Sequence, residues 1–502
     1  MEEQQGLKGK AVSSAMWAAV QKYTVYFITF VSDIILARLL TPYDFGCIGI
    51  LIVFTTLAET IVDGGFGSAL IQKKRPTQED YSTIFFWNMA MALFLYVILF
   101  FSAPFIAKYY EIPELSLILK VQGLILFAYS FNMVQWNQLK KKLDFKTIAI
   151  ITVICQVFSL IVAIVMAYSG FGVWSLVARN MIAVILASVL FWFIIKWRPL
   201  CFFSWESFKS LFSFGLFMFL SSIVTTISTR IQDLLIGKTF GASDLGYYTK
   251  ASGAQHMATT SISQVLEQVT YPLYVEVQDN LYALQNMVKR MTVTLAYVSF
   301  PMIFILLLVA KPLFVILYSE KWLVSVPYFQ VLCLAGLAQC LQSVNFQTIS
   351  ALGKGNVTLR WTLIKRIVGI GFVVGGLLFW GMKGILLGAV INAWFAYFVN
   401  MGLVSWHVGY KWYKQLLDLM PVTFASVATA LICYYSIRIF HFNIYIDGLL
   451  KLTLYIVIYL SWSLIFKPEA SEYFKTIIVP LSKKLFQRLH LNKSLNHEMG
   501  DN

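Results

Sequence analysis

The chain has 502 residues, of which 59% are apolar and only 13% charged, with a mean hydropathy of +0.73. Soluble proteins carry about 25% charged residues, so a soluble fold is excluded and a polytopic membrane protein indicated. The net charge of +15 does not point to nucleic acid, because the basic residues follow the loops between apolar segments. The six cysteines (Cys47, Cys155, Cys201, Cys333, Cys340, Cys433) lie scattered through apolar sequence without a CxxC pair. Neither a metal site nor a disulfide framework is expected. The first apolar segment runs on too far for a cleavable signal peptide and lacks a small-residue cleavage site.

A helix needs about 20 apolar residues to cross about 30 Å of hydrocarbon. On that template the sequence predicts about fourteen spans. They cover 12–37, 44–68, 83–107, 115–136, 147–168, 172–195, 210–236, 246–269, 288–310, 324–351, 359–380, 383–405, 418–440 and 444–466. With the N-terminus placed in the cytoplasm, 26 of the 39 basic residues fall on the inward side. They include Lys73-Lys74-Arg75, Lys140-Lys141-Lys142, Lys289-Arg290 and the tail after Lys467. Nine, among them Arg38, Lys238, Lys250 and Lys321, fall on outward connections or helix ends. This positive-inside bias puts both termini in the cytoplasm. The longest connection, 270–287, is expected to lie on the inner surface as an amphipathic segment. The tail after Pro468 is basic and suited to anionic lipid.

The chain also repeats itself. Asp33-Ile-Ile-Leu-Ala-Arg-Leu-Leu-Thr-Pro-Tyr-Asp-Phe-Gly46 returns, diverged, as Asp233-Leu-Leu-Ile-Gly-Lys-Thr-Phe-Gly-Ala-Ser-Asp-Leu-Gly246. Asp33/Asp233, Asp44/Asp244 and Gly46/Gly246 are identical, and Arg38/Lys238 keeps its charge. Each copy closes the first span of a hydropathy block, which predicts two parallel halves.

Four strings carry a resemblance. Leu36-Ala-Arg-Leu-Leu-Thr-Pro-Tyr-Asp-Phe-Gly46, Asp63-Gly-Gly-Phe-Gly-Ser-Ala-Leu-Ile-Gln72, Gly170-Phe-Gly-Val-Trp-Ser-Leu-Val177 and Asp244-Leu-Gly-Tyr-Tyr248 resemble the Wzx-type polysaccharide exporters. These are flippases of lipid-linked oligosaccharides in the MOP superfamily, which also contains the MATE drug exporters and the lipid II flippase. The resemblance implies an all-α integral membrane protein of 14 transmembrane helices. Two six-helix lobes (1–205 and 206–407) would be followed by two extra helices (408–466) and a basic tail (467–502). It further implies a cavity between the lobes, alternating access, and outward flipping of an undecaprenyl-pyrophosphate-linked glycan across the bacterial cytoplasmic membrane. A monomer without a cofactor is expected, with the polysaccharide polymerase and glycosyltransferases as possible partners. The family carries no universal catalytic motif, so the site rests on this sequence.

Ionisable residues at membrane depth are costly and usually face water or each other. Lys22, Tyr26, Thr29 and Asp33 share one face of the first span by i, i+4, i+7, i+11 spacing. The positions 200 residues on read Ser222, Thr226, Thr229 and Asp233, with Arg230 beside them. Glu59 and Asp63 lie on the second span, Arg179-Asn180 on the sixth, and His256, Thr260 and Glu267 on the eighth. Lys22, Arg179 and Arg230 suit a pyrophosphate; Tyr26, Thr29, Thr226, Asn180 and Thr260 suit sugars. Asp33, Glu59, Asp63, Asp233, His256 and Glu267 offer ion pairs, or a proton or sodium site for coupling to a gradient. Plainer readings stand beside these. Asp33 and Asp233 have Arg38 and Lys238 as local partners, Arg230–Asp233 has the spacing of a structural pair, and Lys365-Arg366 and Lys451 have that of helix-end charges. The run Asp63-Gly-Gly-Phe-Gly67 reads equally as hinge or packing surface. A cation-coupled small-molecule exporter of the MATE kind is the alternative function. A membrane glycosyltransferase or polymerase is disfavoured, because no connection is long enough for a catalytic loop.

Overall fold

The computed structural model describes residues 2–438 and 443–474, and every regular element among them is helical. The helices are α1 (Glu2–Leu39), α2 (Pro42–Asp63), α3 (Phe66–Gln72), α4 (Gln78–Tyr110), α5 (Glu114–Gly123), α6 (Ile125–Lys141), α7 (Phe145–Tyr168) and α8 (Val173–Ile194). After them come α9 (Trp205–Glu276), α10 (Leu281–Leu308), α11 (Ala310–Tyr318), α12 (Ser325–Ala351), α13 (Gly355–Val408), α14 (Trp412–Arg438) and α15 (Ile444–Phe466). Among the described residues, eleven helical stretches, with α2 and α3 counted as one and α5 and α6 as one, are long and apolar enough to cross a membrane, or twelve with one bent pair counted, so this is a multi-pass membrane protein.

Two helices are too long to be single spans. At 1.5 Å per residue, the 54 residues of α13 would reach roughly 80 Å, well over twice the hydrocarbon thickness. The break is at Gly381, whose φ of 59° and ψ of −134° no helix accommodates. The chain folds back there. A Cβ on Gly376 would meet the Gly384 carbonyl oxygen at 2.1 Å, and one on Gly384 the Gly376 oxygen at 1.8 Å. Lower down, Gly388 faces the Phe372 carbonyl and Gly369 the Asn392 side chain. Small residues are what let membrane helices approach this closely. Alanine at Gly384 is therefore expected to lower thermal stability in detergent by about 1–3 kcal/mol. Alanine at Gly375, which faces open space, is expected to leave it unchanged. The second long helix, α9, breaks in the same way at Gly241 (φ 87°, ψ 177°).

The span boundaries predicted from hydropathy lie within about two turns of the helix ends, except that α1 begins ten residues earlier than predicted, and three further differences stand out. The second predicted span is two helices, because Gly64 and Gly65 both take positive φ (54° and 76°). That run is both kink and packing surface, since a Cβ on Gly65 would stand 2.1 Å from the Gly215 carbonyl oxygen. The fourth predicted span also divides, at Leu124. The connection expected to lie on the membrane surface is mostly helix: α9 continues to Glu276 and α10 begins at Leu281, leaving only 277–280.

Helix starts follow their caps. Thr41 accepts from the Asp44 N–H at 3.3 Å while Asp44 accepts from the Thr41 N–H at 2.8 Å, with Pro42 in the first turn. Thr77 and Asp80 repeat this capping box on α4, where Lys73 adds an ion pair at 2.8 Å.

The chain forms two compact units. The first holds residues 1–250 with 317–322, and the second 251–316 with 323 onward. In the first unit, α1 packs on α7 and α7 on α8, and an aromatic cluster of Phe66, Trp87 and Phe208 joins α3, α4 and α9. In the second, α12 packs on α13, and α10 on both α12 and α14. Beyond the end of α15, Glu469 pairs with Lys289 at 3.1 Å. Hydrogen bonds from Lys289 and Tyr473 hold its carboxyl below the usual range.

Candidate functional site

The two copies of the repeated string meet within the first unit, and they meet reciprocally. A Cβ on Gly46 would stand 1.7 Å from the Ala242 carbonyl oxygen, and one on Gly246 would stand 1.9 Å from the Pro42 oxygen. Residue 42 is to 46 as 242 is to 246, so the same contact is made twice about an approximate two-fold. Gly49 faces Leu245 and Thr249, and Gly237 faces Ile50, both at 3.1 Å. Helix backbones come this close only where no side chain intervenes.

The cations of the repeat close the same end of the unit. Arg38 Nε donates to the Leu317 carbonyl at 3.0 Å, in the last turn of α11. Lys238 Nζ donates to the Tyr109 carbonyl at 2.6 Å, in the last turn of α4, and pairs with Glu111 at 3.3 Å. Each repeat thus supplies a cation that caps the C-terminal carbonyls of a helix from the other half of the sequence. Lys321 Nζ donates to the carbonyls of Arg38 (2.8 Å) and Leu40 (2.6 Å), and Trp322 Nε1 to that of Ala37 (2.9 Å), finishing the end of α1. Together these contacts form a clasp.

Behind the clasp lies an ion pair. Lys250 Nζ donates to Asp33 Oδ1 at 2.6 Å, and the lysine side chain is only 2% exposed while the aspartate is 34% exposed. The rings of Phe45, Tyr318 and Trp322 stand 3.8, 5.1 and 5.2 Å from the ammonium. They supply the cation–π contacts expected of a desolvated charge. Arg179 lies near enough to act electrostatically on the same Asp33 carboxylate. Lys250 is therefore no helix-end charge. Its helix begins at Ala242, a turn before the predicted span, which carries the residue more than two turns into the bundle. Asp33 takes Lys250 as its partner instead of the nearby Arg38, whose guanidinium is committed to a helix end.

The remaining predicted residues fall as follows. Lys22, Tyr26 and Thr29 lie on α1 with part-exposed or exposed side chains, and Lys22 makes no ion pair among the described residues. Asn180 is part-exposed on α8 beside Arg179. Thr226 Oγ1 on α9 stands 3.3 Å from Thr60 Oγ1 on α2. Arg230 pairs with Asp233 at 3.4 Å, so Asp233 is not the partner of Lys238. Glu59 is part-exposed on α2, and Asp63 accepts from the Gly65 N–H at 3.2 Å, tying down the α2–α3 break. His256 is exposed on α9 in the second unit. The side chains of Thr260 and Glu267 lie outside the described residues. No group of three or more His, Cys, Asp or Glu able to hold a metal occurs among the described residues. Lys451 pairs with Asp447 one turn away at 2.7 Å. Lys365, read as a helix-end charge, is instead buried in α13, with Nζ donating to Asn400 Oδ1 at 2.7 Å.

Comparisons with known proteins agree with this architecture. A family described as "Polysaccharide biosynthesis protein" matches residues 35–327. The chain is 26% identical over 352 residues to the teichuronic acid biosynthesis protein TuaB of Bacillus subtilis, covering 70% of this chain and 73% of TuaB. It is 22% identical over 434 residues to the lipopolysaccharide biosynthesis protein WzxC of Escherichia coli, covering 85% and 88%. Its fold superposes on the lipid II flippase MurJ in an inward closed conformation, with a TM-score of 0.74 at 17% identity, covering 90% of this chain and 98% of MurJ. With more than half its length matched, a Wzx-like sequence and the fold of a flippase, this chain belongs to the polysaccharide biosynthesis protein family.

Proposed function

We propose that the chain is a flippase. It moves an undecaprenyl-pyrophosphate-linked oligosaccharide from the inner to the outer leaflet of the bacterial cytoplasmic membrane, for surface polysaccharide synthesis. Counting the segments either side of Gly241 and of Gly381 as separate spans supports a reading of fourteen spans. Both termini then lie in the cytoplasm and the clasp on the outer side. The observation that carries the reading is that Lys22, Arg179 and Arg230 sit within spans yet keep part-exposed side chains. A cation at that depth needs water or an anion, and a pyrophosphate supplies the anion. Tyr26, Thr29, Asn180 and Thr226 border the same path and suit sugar hydroxyls. The polyprenyl tail stays in lipid.

The clasp supports an alternating-access reading. Closed, it seals the outer end while headgroup loads from inside. Asp33 is held by Lys250 and felt by Arg179. A headgroup drawn to Arg179 weakens that hold and favours opening, so binding and gating share one carboxylate. Glu59, Asp63, Asp233, His256 and Glu267 are where a proton or sodium would enter the cycle. The protein acts as a monomer, receives its substrate from glycosyltransferases and passes it to a polymerase, and performs no bond chemistry.

Charge reversal tests the site. Glu at Lys22, Arg179 or Arg230 is expected to abolish surface glycan in cells while the protein still inserts. If all three variants export normally, the site is elsewhere. Flipping of a labelled pyrophosphate-linked glycolipid in vesicles, with and without a pH gradient, is expected to depend on the purified protein and to separate proton coupling from facilitated exchange.

A further inference from the structure

The second unit buries a cation that nothing above uses. Lys365 is 7% exposed in the interior of α13, and its Nζ donates to a neutral partner, Asn400 Oδ1, at 2.7 Å. The next residue, Arg366, adds a second positive charge. Neither makes an ion pair with a carboxylate among the described residues. Elsewhere in this unit, Asp418 is committed to Lys289 and Tyr410, and Asp447 to Lys451. The amide that receives Lys365 is itself incomplete: Asn400 is 2% exposed and its Nδ2 has no hydrogen-bond partner. The ring of Phe346, 6.0 Å away, closes another side.

A buried charge without a counter-charge is expensive, and so is a buried N–H without an acceptor. Both deficits ask for the same thing, a negative acceptor that touches the Lys365 ammonium and the Asn400 Nδ2–H together. A neutral lysine would satisfy only the first and leave the amide donor orphaned. A bridging water would satisfy the second and leave the charge. We propose that Lys365 and Asn400 form a binding site for a small inorganic anion of chloride size, with Arg366 raising the local positive potential. The burial of both residues favours an ion this small over a phosphate or a lipid headgroup. Lys365 and Asn400 belong to the second unit and Lys22, Arg179 and Arg230 to the first, and the proposal does not rest on the transport reading.

The test uses the purified full-length protein in detergent and measures thermal unfolding at constant ionic strength. The probes are sodium chloride, sodium gluconate, inorganic phosphate and pyrophosphate. Chloride is expected to raise the midpoint by a few degrees, saturably, as a ligand of the native state must. Gluconate is expected to give no such rise. Lys365→Met and, separately, Asn400→Leu are expected to lose the chloride-dependent rise while remaining monodisperse. The second variant stands in if the first does not fold. Equal midpoints in chloride and gluconate would overturn the proposal, as would a chloride effect that survives in the variants. A rise with phosphate or pyrophosphate but not with chloride would overturn it too, assigning the cations to a larger phosphorylated ligand.

Discussion

Alanine at Gly246 is expected to raise the rate at which a membrane-impermeant thiol reagent modifies Cys47 by about tenfold or more. The new methyl would stand 1.9 Å from the Pro42 carbonyl oxygen, whereas carbon and oxygen in contact need more than 3 Å, so the two helices must part by over an ångström. Packed interiors do not absorb such a shift locally, and overpacking costs about 1–3 kcal/mol. That strain exists only while the clasp is closed, so it moves the population towards the open form by about 5–150-fold. Cys47 is a native reporter, because it is fully buried in α2 one residue from Gly46. The exposed Cys201 is first replaced by Ser. Gly46→Ala, which strains the reciprocal contact, is expected to act alike. Gly253→Ala, facing open space, is the control. If Gly246→Ala labels no faster than that control, the reciprocal seam is not a moving contact.

The ion pair behind the clasp gives the second large effect, and it is asymmetric. Replacing Asp33 by Ala strands a lysine whose side chain is 2% exposed. Breaking a buried pair in this way costs about 3–5 kcal/mol. Replacing Lys250 by Met leaves an aspartate that is one-third exposed and still near Arg179. The methionine can fill the aromatic box, where its sulfur meets Phe45, Tyr318 and Trp322 favourably. Lys250→Met is therefore expected to cost about 1 kcal/mol. The double variant is expected to be more stable than Asp33→Ala alone, because it removes the stranded charge. Thermal unfolding of the four proteins in detergent measures the cycle. Equal losses from the two single variants, or a double variant no better than Asp33→Ala, would refute the picture of a desolvated lysine held by a hydrated acid.

Most of the helical layout was legible because a bilayer imposes a length on every apolar segment. Even the two fold-back turns fell where predicted spans were interrupted, at Gly241 between 210–236 and 246–269 and at Gly381 between 359–380 and 383–405. The repeat was legible too, but its purpose was not. Asp44 is retained as the third residue of a capping box, and Gly46 and Gly246 as points of backbone contact. The glycine contacts require knowing which helix lies opposite, whereas the capping box is a local pairing of Asp44 with Thr41. Lys250 was misplaced for a related reason. Hydropathy locates a charge only by its depth in a window, and this window began a turn too late. Its partner Asp33 is 217 residues away, and no local spacing encodes such a pairing. Lys365 escaped in the same way, since Asn400 faces it only across the Gly381 turn.

The crosswise capping by Arg38 and Lys238 bears on how such chains evolve and recombine. Each half of the sequence finishes a helix belonging to the other, so neither half carries its own closure. Splicing the front of this chain to the back of a cousin would pair foreign cations with foreign carbonyl ends at two points simultaneously. Hybrids should survive when the exchange keeps both helix tips beside their original cationic partners, and lose tight sealing when the crossover separates either one.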